Sequence, residues 1–393
     1  MSHPTTTADE APTPAETDLA FVKLMRDTGV AVIDVDAGTH VATVGDGRHP
    51  HGLAFHPGGR WVSIAFAGSS TIQTVDRRSL SVLDRTETVG TAPIGIEYAR
   101  DGRYLFVTGY GELPGADEPG LTVLRAEDER RPGERNSSDP SLELLATRRI
   151  GKCAGAVVDR SNDLWIALKD DDAVVRLDAE PPFEMRDRLE VPGDPQDLAY
   201  APELGLLGVN NVDDGSVSFV DVDRRTLVGT VDAPNPRGGV ASVEHGRWLV
   251  GDTEGDGVTV IDLGDDAGSD AGPELVEQRS LATPTAFPDV TPDGEYAVVD
   301  AYEDDRVTFL EVASLEVVAR VETGPEPRHP RFGADGRRCY VPNVSGDSFS
   351  VLDTEPLFRT TDGPPTVERT VDLPEDSAPS SCFLTEHATG DTP

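Results

Sequence analysis

One repeating unit constrains this chain more than any other feature. A proline opens an alternating apolar stretch, an Asp-Gly-type turn follows, then a second strand, a short polar turn and the pattern VxVxD. The cleanest copies are APIGIEYARDGRYLFVTGYG from Ala92, PTAFPDVTPDGEYAVVDAYEDDRVTFLEV from Pro284 and PRHPRFGADGRRCYVPNVSGDSFSVLD from Pro327. HPHGLAFHPGGRWVSIAFAGSSTIQTVD from His49 is a fourth, and worn copies begin near Lys152, Asp194 and Asn235. The first-turn residues are Gly59, Gly102, Asp163, Gly205, Gly246, Gly294 and Gly336, separated by 43, 61, 42, 41, 48 and 42 residues. The two long gaps hold polar insertions, EDERRPGERNSSDPS after Ala126 and GDDAGSDAGP from Gly264, which read as loops.

A unit of about 42 residues with four alternating segments predicts a four-stranded antiparallel blade, because one face of each strand must pack on the next blade. Gly in the tight turns accepts positive φ at no steric cost. Radial repetition of such blades gives an all-β propeller. The fixed internal order of the copies argues against a sandwich or barrel. Before His49 lie three strand-like segments, from Leu19, Gly29 and His40, which make a blade lacking one strand. The tail SAPSSCFLTEHA from Ser377 aligns with TAPIGIEYARDG from Thr91 and is a first strand with no blade after it. The C-terminal strand is therefore expected to complete the N-terminal blade. Seven full repeats and one composite make eight blades, with seven as the fallback. The expected layout is an acidic, disordered tail over 1–17, one propeller over 18–387 and a short tail over 388–393.

The up-and-down order assigns loops to faces. First-to-second turns and third-to-fourth loops share one face. Second-to-third turns and interblade crossovers share the other, and that face is expected to carry the binding mouth of the channel.

Asp and Glu number 72 against 34 Lys and Arg, a formal charge of −38, and only Lys23, Lys152 and Lys169 are lysines. This pattern fits a protein solvated in concentrated salt, as in the cytosol of an extreme halophile; charge speaks to solubility rather than fold. Nucleic acid and anionic membrane are disfavoured as partners, since no stretch supplies a basic face. No apolar run approaches the roughly 20 residues of a membrane helix. The N-terminus carries no export signal, so a cytoplasmic location is expected. Cys153, Cys339 and Cys382 form no disulfide framework or C-x-x-C pair, and the familiar hydrolase, metalloprotease and nucleotide-binding motifs are absent.

Two crossovers place histidine at the entry to an innermost strand: HPHG at 49–52 and RHP at 328–330. His49, His51 and His329 are therefore expected to converge at the channel mouth, where imidazole ligates metal or haem iron or moves protons. The bland alternative is a loop histidine bonded to crossover backbone. Asp197 and Arg328 hold comparable entry positions, and Arg328 is suited to pair a carboxylate. The recurrent acidic turns at 169–172, 212–215, 252–256 and 303–305 invite a calcium reading, but none has EF-hand spacing. Buried structural thiols are the default for the cysteines. Trp61, Trp165 and Trp248 each follow a first turn by two residues and are expected in the interblade core.

The segments TPDGEYAVV, ARDGRYLFVTGY and ADGRRCYVPNVSGDSFSVLD resemble the YVTN propeller repeat, a likeness that runs along nearly the whole chain from Leu19. The tail LPEDSAPSSCFLTEH from Leu373 resembles the closing segment of the cytochrome cd1 haem d1 propellers, with Ser381 where that family has Gly. That resemblance implies eight blades and a haem-ligating histidine in an early blade, for which His51 or His49 is the match. It does not extend to a c-type haem domain or an export signal. Propeller lactonases are a further enzymatic resemblance, with no motif that carries their residues over.

Three readings follow: a non-catalytic module binding a protein or small ligand on the channel face, a tetrapyrrole-binding or redox protein of haem d1 type, and a lactonase-type hydrolase. The residues by themselves identify no catalytic set and no firm cofactor.

Overall fold

The structure, a computed structural model, describes residues 18–87, 89–126, 141–264, 272–359 and 363–385. The expected tails at 1–17 and 388–393, the insertion after Ala126 and most of that from Gly264 lie outside these residues.

The described residues form eight four-stranded antiparallel sheets arranged in a ring, an eight-bladed propeller. The innermost strands of blades 1 to 4 are Pro50–Phe55, Pro93–Tyr98, Cys153–Val158 and Pro195–Ala201. Those of blades 5 to 7 are Pro236–Ser242, Asp289–Val290 and Arg331–Phe332. Blade 8 is the composite. Its inner strand is the C-terminal Pro379–Leu384, paired with Leu19–Leu24, which leads outward to Thr28–Asp34 and Thr39–Arg48. Closure thus joins residues more than 360 positions apart, as in the bond from the Leu19 amide to Thr385 Oγ1.

The repeat pattern has a physical reason at each step. The Asp of VxVxD ends the third strand and caps the turn after it. Asp34 Oδ1 accepts the amides of Asp36 and Ala37, and Asp76 and Asp221 do the same for Arg78 and Ser79 and for Asp223 and Arg224. Such Asx bonds replace the partners that the turn amides lose. The residue before the entry proline takes a left-handed φ in most blades, 55° at His49 and 59° at Asp194, which turns the crossover into the innermost strand. Its carbonyl then accepts an amide from the second-to-third turn, as His49 does from Ala67 and Asp194 from Val212. Crossovers and second-to-third turns therefore do share a face.

Packing runs blade on blade. One core cluster joins Phe106, Leu121 and Val123 of blade 2 to Ile166, Leu168 and Val175 of blade 3, and equivalent clusters fill the other seams. The tryptophans are all buried. They occupy three successive registers rather than one, opposite Asp76, Arg176 and Ile261, because the length of the first turn varies between blades.

A finer alternation sits on the second strand. Its fifth residue is small or apolar in the odd blades, Ala65, Ala167, Gly251 and Pro342. It is polar in the even blades, Thr108, Asn210, Asp300 and Lys23. Each polar residue bonds the inner backbone of the following blade. Thr108 Oγ1 donates to Ala154 O, Asn210 Nδ2 to Gly238 O and Lys23 Nζ to His51 O, while Asp300 Oδ2 accepts from the His329 amide.

Candidate functional site: two arcs of the channel mouth

The first arc spans blades 6, 7, 8 and 1. His51 follows the proline that opens blade 1, and its Nδ1 donates to Ile94 O of blade 2 at 3.0 Å. Because a carbonyl can only accept, this bond sets the tautomer and leaves the Nε2 lone pair without a partner among the described residues. Burial, then the charges of Lys23 and His49, lower the His51 pKa to about 4, against the pull of the Ile94 carbonyl. The imidazole is therefore neutral at physiological pH. His329 stacks on Phe287 with ring centroids 3.4 Å apart. Burial holds its pKa well below the usual value, helped by Lys23, Arg331, Arg328 and His51. His51, His329 and Lys23 thus lie close enough to act on one another's charge.

Lys23 was not singled out as a site residue by its pattern, yet it binds the arc together. Its ammonium donates to His51 O at 2.8 Å and lies 5.7 Å from the Phe383 ring. Burial lowers its pKa to about 8. The other two lysines are paired, Lys152 with Asp170 and Lys169 with Asp194, whereas Lys23 has no carboxylate partner among the described residues. Asp300, fully buried, performs the matching task in blade 6. Its Oδ1 accepts the amides of Ala286 and Phe287, and its Oδ2 that of His329, so one carboxylate fixes both members of the stacked pair. Burial raises its pKa to about 6, while these amides and Arg328 pull the other way.

The remaining expected residues are dispersed. His49 is exposed and serves the crossover turn, with its ring 6.3 Å from that of His51. Arg328 lies over Tyr302 at 4.1 Å and pairs with Glu326 at 3.7 Å, so its carboxylate partner is a neighbour in sequence. Asp197 does not join the histidines. It stands in blade 4, across the channel, 3.7 Å from Arg237. The repeat equates entry positions, but a ring puts equivalent positions up to a channel width apart.

Through Arg237, Asp197 adjoins the second arc, a cleft of about 580 Å³ between blades 4 and 5 lined by Asp194, Gln196, Asp213, Asp214, Arg237 and Glu254 among others. Here charges meet charges. Lys169 pairs with Asp194, Gln196 Nε2 donates to Asp194 Oδ2 at 2.6 Å, and Arg237 donates to Gln196 Oε1 at 2.7 Å. The acidic turns mostly cap themselves, as when Asp252 accepts from Glu254 and Gly255. Among the described residues no group of three or more His, Cys, Asp or Glu is placed to hold a metal ion. The cysteines are buried, and burial pushes the Cys153 and Cys382 thiols up to about 12, which suits structural rather than nucleophilic thiols.

Known structures share this ring. The dihydro-haem d1 dehydrogenase NirN, solved in complex with DHE, superposes with a TM-score of 0.76 at 20% identity over 98% of this chain and 78% of that one. The two share a fold. The Pseudomonas aeruginosa periplasmic gluconolactonase PpgL gives 0.57 at 16% identity, covering 94% of this chain and 98% of its own. A putative 6-phosphogluconolactonase of Bacteroides fragilis gives 0.57 at 12%, covering 95% and 99%. No protein-family model matches the chain, and no curated protein does so. Among the described residues no helix is long and apolar enough to cross a membrane.

Proposed function

We propose that this chain is a ligand-binding propeller whose imidazole arc receives a tetrapyrrole, with His51 as the residue facing the iron. The observation that carries this reading is the state of His51. A metal-ligating imidazole needs a neutral ring, a free nitrogen lone pair and a fixed second nitrogen, commonly bonded to a backbone carbonyl. His51 has all three: burial keeps it neutral, Nε2 is open, and Nδ1 is held by Ile94 O. The residues around it fit the rest of such a ligand. Phe287, stacked with His329, and Phe383 offer flat apolar surface, and Lys23 and Arg331 offer cations to acidic side arms. Bound iron would supply redox or ligand-binding chemistry. The protein's part is to hold the imidazole, exclude bulk water and neutralise charge. That NirN is solved with DHE, on the same fold, agrees with the reading. The charge of −38 supports a salt-rich cytoplasm as the setting.

The test is an absorption spectrum in molar KCl before and after adding haem, for the wild type and for His51→Ala. A Soret band that shifts on binding and is lost in the variant is the expected result. A spectrum that is merely the sum of its parts, or an identical shift in His51→Ala, overturns the assignment.

A further inference from the structure

The residue after the entry proline stands at one level around the mouth. Pro50, Pro195 and Pro236 each pair with the sixth residue of their second strand. His51, Gln196 and Arg237 are therefore equivalent in blades 1, 4 and 5. In blade 1 that place carries the imidazole. In blades 4 and 5 it lines the cleft of about 580 Å³, a size within the roughly 300–1,000 Å³ of small-ligand sites.

The lining of the cleft is mostly polar, and its two walls differ. The inner wall, from the crossovers and innermost strands, holds Gln196, Asn235 and Arg237. The outer wall comes from the turns after Leu206–Asn211 and Arg247–Asp252, and it holds Asp213, Asp214 and Glu254. Asp194 is already matched by Lys169 and by the Gln196 amide. Most of the other polar groups are unspent. Half-buried Arg237 gives one Nη1 bond to Gln196 Oε1 at 2.7 Å, with Asp197 at 3.7 Å. Its Nε and Nη2 have no partner among the described residues. Neither do the side chains of Asn235, Asp213 and Glu254, whereas Asp214 accepts from Ser216 Oγ at 2.7 Å.

One cavity thus sets an open guanidinium on one wall against open carboxylates on the other. A bare anion drawn to Arg237 would face those carboxylates. A bare cation at the turns would leave the guanidinium unmatched. A ligand carrying both charges satisfies both walls, and the guanidinium fork suits a carboxylate.

We propose that the cleft between blades 4 and 5 binds a small zwitterion of the amino-acid type. Its carboxylate sits on the free edge of Arg237, and its ammonium points outward to Asp213, Asp214 and Glu254. The Asn235 carboxamide, both donor and acceptor, is left for a polar group between the two charges. The site is separate from the imidazole arc and does not depend on what that arc binds.

Isothermal titration calorimetry on the intact chain in molar KCl tests this. The probes are glycine and glycylglycine as zwitterions, with potassium acetate and ethylammonium chloride as the two half-ligands. Saturable binding is expected for at least one zwitterion, about tenfold or more tighter than for either half-ligand. Arg237→Met should weaken it about tenfold or more, and Arg237→Lys, which keeps the charge without the fork, by less. Asp213→Asn with Asp214→Asn, in an exposed turn, should weaken it several-fold without disturbing the fold. His51→Ala should leave it unchanged. Absence of saturable binding by both zwitterions overturns the proposal. So does a half-ligand that binds as tightly as the zwitterions, or undiminished binding in Arg237→Met. Haem binding at His51 has its own spectral readout, so the two assignments fail separately.

Discussion

The two arcs of the channel mouth come from the same repeat and hold charge in opposite ways. In the acidic cleft of blades 4 and 5, half-buried Asp194, Lys169, Gln196 and Arg237 satisfy one another side chain to side chain. In the imidazole arc, half-buried Lys23 and fully buried Asp300 spend their hydrogen bonds on backbone. The carboxylates at the cleft's edge, Asp213, Asp214 and Glu254, are exposed, and exposed charges contribute little to stability and tolerate change. A buried carboxylate that anchors three backbone amides, as Asp300 does, is costly to keep and costly to cut. The contrast marks the imidazole arc as the preorganised half of the mouth and the cleft as its more solvated rim.

The sharpest break of this comparison is Asp300→Ala. It strands the amides of Ala286, Phe287 and His329 and should cost about 3 kcal/mol or more. Asp214→Ala in the cleft should stay within about 0.5 kcal/mol. Chemical denaturation of both variants in molar KCl measures the difference; equal effects would erase the distinction between the arcs.

Acidity separates the arc's two titrating anchors. Asp300 is raised to about 6 from an ordinary 3.8, so between those values the folded state holds a proton that the unfolded state has lost. Stability from this group is fully present below pH 3.8 and falls as pH rises towards 6, by about 3 kcal/mol. His51 is lowered to about 4 from 6.5, so the unfolded state binds the extra proton between those values. Stability from His51 is present above pH 6.5 and falls by about 3 kcal/mol as pH drops towards 4. The slopes oppose each other, and the wild type alone hides them. Asp300→Asn should remove the first slope and His51→Gln the second, each read as a difference in unfolding free energy from the wild type across that range.

These anchors also show where the sequence was legible. The blades, their number, the composite closure and the loop faces follow from the spacing of Asp-Gly turns and from strand alternation, because the repeat is local and its physics identical in each copy. What the repeat cannot carry is angle around the ring, which is why Asp197, equivalent by position, stands across the channel beside Arg237. Lys23 and Asp300 had a signal nonetheless. Each is a lone ionisable residue inside an apolar strand, in LAFVKL and YAVVDA. Aligning second strands by their fifth residue reveals the polar position of the even blades. The acceptor each one finds, a backbone atom of the next blade, is visible only once blades are set side by side.

Lys23→Met probes the cation that has no carboxylate partner among the described residues, with a smaller effect and the opposite sign. Burial lowers the lysine to about 8 from 10.5, so its charged form is disfavoured in the fold. The stability withheld below pH 8 returns as pH rises to 10.5. Removing the charge should therefore stabilise the protein by about 1–2 kcal/mol at neutral pH, after the lost bond to His51 O is counted. It should also raise the His51 pKa, since Lys23 is one of its depressing charges. Histidine resonances followed by NMR against pH measure the shift. A destabilised variant with an unmoved His51 would make Lys23 a mere strand-packing residue.

The smallest effect belongs to the rim. Asp213→Asn with Asp214→Asn removes two of the carboxylates that line the cleft. With a net charge of −38, the folded chain repels itself over distances that molar salt screens to about 3 Å. The double variant should melt slightly higher than the wild type at low salt and at the same temperature in molar KCl. Asp300→Ala, whose loss is a broken local anchor, should keep its deficit at every salt concentration. If the cleft variant behaved like Asp300→Ala, with a deficit that salt does not relieve, the acidic arc would be an anchored structure too, and the mouth would have two preorganised halves rather than one.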